Sequence, residues 1–148
     1  MPQLTHDATG TSYLAMTVAA FIFDATGRLL LIRENYERRR YGPPGGRVEA
    51  GESPHQAVLR EAEEEICAQV RVVNLIGMYY FAWEPWLAFA FRCDLERGQP
   101  AVPATGEIAE VAWFAPQQLP TPTTMLLPRV LPDALQGACD VVRDYFNP

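Results

Sequence analysis

Residues 43–68 read PPGGRVEAGESPHQAVLREAEEEICA, and this stretch decides the architecture. Pro43-Pro44-Gly45-Gly46 is a strong backbone punctuation. Ser53-Pro54-His55-Gln56 has the form of a helix start. Ser53 suits the N-cap, Pro54 the first helical position, and Gln56 completes a capping box. The spacing predicts a helix from Pro54 to about Ile66. On it Val58, Ala62 and Ile66 recur every four positions and form one apolar stripe, with Leu59 beside them. Glu61, Glu64 and Glu65 share an adjoining arc, while Glu63 points away towards solvent. Like charges at that spacing destabilise a helix by roughly a few tenths of a kcal/mol, and partial burial raises the cost. Arg60 can serve one of these carboxylates but not all three. A hard divalent cation would supply the missing charge, since Mg²⁺ takes carboxylate, water and phosphate oxygens.

The charge around this helix is uneven. From Arg33 to Arg47 five arginines stand against two glutamates, and from Glu49 to Glu65 six glutamates stand against Arg60. A basic stretch therefore runs through a glycine-rich loop into an acidic one. Paired glycines let backbone approach closely, and arginines can hold phosphate oxygens. Over the whole chain the formal charge is -6, which excludes a surface that coats polymeric nucleic acid.

At 148 residues, with 49 % apolar and 20 % charged types, the composition is that of one globular domain spanning 1–148. The longest nearly apolar run, Tyr13 to Phe23, is too short to span a bilayer, and no basic region precedes it. Cys67, Cys93 and Cys139 are odd in number and far apart, matching neither a disulfide framework nor a thiolate zinc site. These features read as a soluble, cytoplasmic protein without membrane contact.

Around the central stretch, Met16–Phe23 and Arg28–Arg33 read as strands joined by the turn Asp24-Ala25-Thr26-Gly27, a hairpin. A short strand is expected at Val48. Val70–Phe81, Trp86–Asp94 and Ile108–Phe114 read as further strands, and Leu131–Tyr145 as a C-terminal helix. Residues 1–12, with His6, read as a flexible tail. The fold class is α/β (α+β), strands with inserted helices.

Gly46, Glu52, Arg60, Glu61, Glu64 and Glu65 stand in the register G-x5-E-x7-R-E-U-x-E-E-x-G-U, where U is a bulky apolar residue. The stretch therefore closely resembles the signature of the Nudix hydrolases. Pro44-Gly45-Gly46 before it, the Gly51-Glu52-Ser53 helix start and the later Trp113-Phe114 are similar to the family too. The resemblance covers the chain from the first strand to about Leu119. Cys67 departs from the pattern by replacing its glycine, and Ala62 and Ala68 are smaller than usual. A glycine suits a left-handed helix C-cap, so Cys67 is expected to weaken that turn without removing a ligand.

The resemblance implies an α/β/α sandwich around a mixed sheet, and hydrolysis of a diphosphate joined to another group with Mg²⁺ or Mn²⁺. It implies that Glu61, Glu64, Glu65 and the Gly45 carbonyl are metal ligands, and that Arg60 and Glu52 orient the helix against the loop. These residues form the candidate catalytic set. The cation is expected to screen the diphosphate and activate water, with Glu61, Glu107 or Glu110 as general base. Arg47 and Arg40, with Arg38 and Arg39, are candidates for holding phosphate. Trp83 and Trp86 are candidates for stacking on a base, within an aromatic cluster around Pro85.

The partner is then a small nucleotide-derived diphosphate, with a homodimer open. Nucleoside diphosphate-X compounds such as ADP-ribose or nucleotide sugars are the expected substrates. A nucleotide-sanitising (d)NTP pyrophosphohydrolase and a non-catalytic nucleotide-binding regulator are the alternatives. An isomerase of the same fold would need a catalytic cysteine and added segments that this chain does not place.

Overall fold

The computed structural model describes residues 5–6, 8–10 and 12–148. Strand β1 (Thr5–His6) pairs antiparallel with β2 (Ser12–Tyr13). The tail expected over 1–12 falls in part outside the described residues, and the side chain of His6 does so too.

The main sheet has five strands in the order β10-β7-β8-β3-β6. They are β3 (Ala15–Ile22), β6 (Gly45–Arg47), β7 (Gln69–Phe81), β8 (Trp86–Arg97) and β10 (Val141–Tyr145). It is mixed: β3 runs parallel to β8 and β10 parallel to β7, whereas β7–β8 and β3–β6 are antiparallel. A smaller antiparallel sheet joins β4 (Leu29–Glu34) to β5 (Tyr41–Gly42) and to β9 (Ile108–Phe114).

Helix α1 (Pro54–Ile66) covers one side, packing Ala57, Val58, Ala62 and Ile66 on Val18, Ala20, Ile22, Leu30 and Phe91. Helix α2 (Leu127–Leu135) covers the other, packing Leu127, Val130, Leu131 and Ala134 among Phe21, Leu29, Ile76, Tyr79 and Phe81. Alternate residues of β3 feed the two cores, the period of two that a strand buried on both faces requires. The layers are those of an α/β/α sandwich. Among the described residues no helix is long and apolar enough to cross a membrane.

The structure differs from the sequence reading in three places. The turn at Asp24 forms, with Asp24 accepting from Gly27 and donating to the Arg28 carbonyl at 2.9–3.0 Å, and Phe23 bridges Leu29. Beyond that mouth the strands part, β3 entering the large sheet and β4 the small one, because each finds a longer partner in β8 or β9. The short strand lies at Gly45–Arg47 rather than Val48, whose N–H nevertheless donates to the Met16 carbonyl at 3.0 Å.

The expected helix 131–145 is instead α2, ending at Leu135, followed by β10. Gly137 (φ 71) and Asp140 (φ 56) are left-handed and stop the helix, and the β-branched pair Val141-Val142 then adds to the sheet edge. Arg143 on β10 grips Asp133 of α2 at 2.7 and 3.2 Å, and the Tyr79 hydroxyl donates to the same carboxylate at 2.9 Å. Arg143 thereby holds the Asp133 carboxyl below its ordinary pKa.

Helix α1 starts as its sequence predicts: Gln56 N–H donates to the Ser53 hydroxyl and Ser53 N–H to the Gln56 side chain. It ends at Cys67 in the left-handed region (φ 56, ψ 31), with Cys67 N–H donating to the Glu63 carbonyl. That conformation costs a residue with a Cβ about 1–2 kcal/mol, which glycine avoids at the expense of a floppier unfolded chain. Cys67→Gly is therefore expected to raise the thermal midpoint with activity unchanged; a lower midpoint would mean that the cysteine side chain stabilises the turn.

Candidate active site

The acidic edge of α1 lies against β6. Gly45 and Gly46 pair with Ala19 and Val18 of β3, so this loop is fixed from one side by the sheet and met on the other by helix carboxylates. Glu65 accepts a hydrogen bond from Gly45 N–H at 2.6 Å. Glu61 lies so close to Gly46 that a Cβ there would sit 2.4 Å from its Oε1. Glu64, beyond them, is exposed and Glu63 points to solvent, as the helical spacing predicts.

Arg60 organises this edge. Its Nε and Nη2 donate to the two oxygens of Glu52 at 2.7 and 2.9 Å, and Nη2 also donates to the Arg47 carbonyl at 3.0 Å. Its Nη1 donates to Glu61 at 2.9 Å and to Glu64 at 3.2 Å. Planar bidentate pairing of this kind fixes geometry as well as charge. It ties the loop before α1 to the middle of the helix, and it holds the Glu52 carboxyl down at about 2.

Glu65 has no such partner. Burial pushes its carboxyl up to about 8; the Gly45 hydrogen bond opposes the rise, and the charges of Glu61, Glu107 and Glu64 add to it. Burial likewise raises Glu61, against the pull of Arg60. One guanidinium thus serves Glu52, Glu61 and Glu64, and Glu65 is left with an N–H. An all-oxygen set of this composition fits a hard divalent cation. Among the described residues no group of three carboxylate, imidazole or thiol side chains is arranged to hold a metal ion, and Glu61 and Glu64 are instead engaged by Arg60.

A cleft of about 210 Å³ opens beside Gly45, Gly46 and Glu65. Its walls include Val18, Ile32, Trp86, Met125 and Leu126, with Glu34, Tyr36 and Arg40 among its polar lining. Several expected substrate contacts are differently employed. Arg40 faces the cleft but is bound to buried Glu34 at 3.2 Å through Nε and Nη2. Arg47 is exposed.

Trp86 borders the cleft, yet it is buried, stacked on Phe81 at 4.5 Å between ring centres, with its indole N–H donating to the Thr17 hydroxyl. Trp83 lies outside the cleft lining and packs edge-on against Phe81, under Arg129. Trp83 is thus half-buried at the margin of the core. Glu110 accepts from the Tyr41 hydroxyl at 2.7 Å and from Arg33 at 3.4 Å, both through Oε2. Glu107 is exposed, and its charge is felt at Glu65.

Gly45 meets Glu65 through its N–H. Glu34, Tyr36, Gly42 and Thr124–Leu126 line the cleft although the sequence marks none of them. Their places depend on pairing between distant segments, for which the chain carries no local signal.

A "MutT-like protein" of Streptomyces ambofaciens is 31% identical over 139 residues, covering 94% of this chain and 88% of the relative. Several further relatives are longer proteins, of which the chain spans 24–31%. Among solved structures, a NUDIX hydrolase from Nitrosomonas europaea superimposes with a TM-score of 0.78 at 19% identity, covering 93% of this chain and 84% of that one. A UDP-X diphosphatase superimposes with a TM-score of 0.75 at 28% identity, covering 90% of this chain and 68% of that one. The NUDIX domain profile matches residues 14–134, which contain the whole acidic edge of α1 and the loop it faces, and the chain belongs to this family of hydrolases.

Proposed function

We propose that this chain hydrolyses the diphosphate linkage of nucleoside diphosphate-X compounds, of the ADP-ribose or nucleotide-sugar type, with Mg²⁺ or Mn²⁺. The observation that carries the reading is the acidic edge of α1 at the mouth of the cleft. The cleft's volume of about 210 Å³ is below the roughly 300–1,000 Å³ typical of sites that enclose a drug-sized ligand. It suits one ring of the substrate and leaves the diphosphate over Gly45, Gly46 and Glu65. Similarity to a UDP-X diphosphatase at 28% identity supports the same class.

A divalent cation, when bound, supplies the positive charge that screens the diphosphate and polarises the attacking water. Glu61, Glu64 and Glu65 would hold it. Glu52 acts through Arg60 as a positioning pair, keeping α1 in register with the loop. Glu61, Glu107 and Glu110 are the candidates to accept the water's proton, Glu61 sharing Oε1 with Arg60 and Glu110 sharing Oε2 with Tyr41 and Arg33. Arg47, exposed on β6, would meet the leaving phosphate.

A coupled phosphate-release assay with Mg²⁺, run over ADP-ribose, nucleotide sugars, dinucleotides and dNTPs, tests this directly. Turnover of nucleoside diphosphate-X compounds is expected, and its loss in Glu64→Gln. A preference for dNTPs would move the protein to the sanitising class. Metal-dependent binding without turnover of any compound would make it a regulator.

A further inference from the structure

We propose that Gly42 and Thr124 are a specificity-determining pair that selects the nucleobase of the substrate; this rests on the nucleotide-derived substrate proposed above. The segment 122–126 is strapped across the cleft by backbone bonds to Tyr41. Tyr41 N–H donates to the Pro122 carbonyl and Thr124 N–H to the Tyr41 carbonyl, both at 2.8 Å. The strap can lie this close because the next residue is buried Gly42, where a Cβ would stand 2.6 Å from Thr124 Cγ2 and 2.8 Å from its Oγ1. Gly42 therefore sets how deep the Thr124 side chain sits, and with it the width of the cleft.

Thr124 also carries an unmet need. Its hydroxyl oxygen is buried and has no hydrogen-bond partner among the described residues. Such a group is costly to leave unpaired. The residue borders the cleft, and a χ1 rotation would turn the hydroxyl from Gly42 towards a polar group lodged there. The chemistry of the cleft indicates which group. Val18, Ile32, Trp86, Met125 and Leu126 give mostly apolar walls, and the Thr17 hydroxyl already accepts from Trp86. A planar base presents two apolar faces to these walls and a polar edge to Thr124, whereas sugar hydroxyls would have to share Glu34, Tyr36 and Arg40, of which Glu34 and Arg40 already pair with each other.

Calorimetric titration of the full chain with AMP, UMP and ribose 5-phosphate separates this proposal from the hydrolase reading, because it needs no turnover. AMP or UMP is expected to bind more tightly than ribose 5-phosphate. Thr124→Val, which keeps the shape and removes the hydroxyl, should weaken the preferred nucleotide about tenfold, and Thr124→Ser should restore it. Gly42→Ala should also weaken binding, and Gly42→Ala/Thr124→Ala should regain part of the loss by vacating the space. Where turnover is measured, Thr124→Val should raise KM and leave kcat, a split that general loss of folding would not give.

Unchanged affinity in Thr124→Val, or ribose 5-phosphate binding as tightly as both nucleotides, overturns the pairing. Should Thr124→Val fold poorly, Thr124→Ala and Thr124→Ser give the same comparison. Base-selective binding without hydrolysis would overturn the proposed function and leave this inference standing.

Discussion

Glutamine at position 65 is expected to lower turnover about a thousandfold while the thermal midpoint of the metal-free protein holds or rises. The two effects have one cause. Glu65 is largely buried against β6, with Gly45 N–H as its hydrogen-bond donor at 2.6 Å and other carboxylates on the same helix edge. Holding this carboxyl charged, or protonating it at neutral pH as its raised pKa requires, is costly, so an amide of the same length relieves the metal-free fold. The amide oxygen can still accept from Gly45. What glutamine cannot supply is negative charge for a cation, and several kcal/mol of transition-state stabilisation ride on that charge, about tenfold in rate for each 1.4 kcal/mol. Thermal melts without metal and kcat with Mg²⁺ check both halves. Full activity would remove Glu65 from the site; a clearly lower midpoint would mean that its carboxylate stabilises the fold.

The same opposition explains how much of the site is legible in the sequence. A helix that places Glu61, Glu64 and Glu65 on one arc works against its own stability, and that conflict is visible without coordinates. So are the capping box at Ser53 and the awkward left-handed Cys67, because caps are local. The bidentate Arg60–Glu52 pair entered through the family resemblance and is present in the structure.

What is not legible depends on distant partners. The run Leu29–Ile32 reads equally well as a strand in either sheet, and its pairing with β5 and β9 decides which it joins. The segment 127–145 has apolar residues at helical spacing and also a β-branched end, and the left-handed Gly137 and Asp140 divide it. Arg40 reads as a phosphate ligand until Glu34, six residues earlier, is found buried beside it. The aromatic cluster shows the same limit. Trp86 borders the cleft but spends its ring on Phe81 and its N–H on Thr17.

Alanine at each of the paired glycines should separate folding from chemistry. At Gly45 a Cβ would stand 2.1 Å from the Val18 carbonyl oxygen and 3.0 Å from Ala19 Cα, both main-chain atoms of β3. Neither can move without opening the sheet, so Gly45→Ala should lose about 3 kcal/mol or more, the upper end of overpacking costs, and with it the cooperative melt. At Gly46 a Cβ would stand 2.4 and 2.8 Å from the two Glu61 oxygens. That carboxylate ends a flexible side chain and can swing aside, so Gly46→Ala should keep its fold. Its catalytic geometry should not survive: a displacement of about 1 Å can cost 10²-fold in rate. Because the added methyl acts through Glu61, Gly46→Ala combined with Glu61→Ala should be no slower than Glu61→Ala alone. Thermal midpoints and kcat for the four variants decide the matter. Equal loss of midpoint at both glycines would place the effect in the loop backbone, and additive losses in the double variant would show that Gly46 serves the reaction by a route other than Glu61.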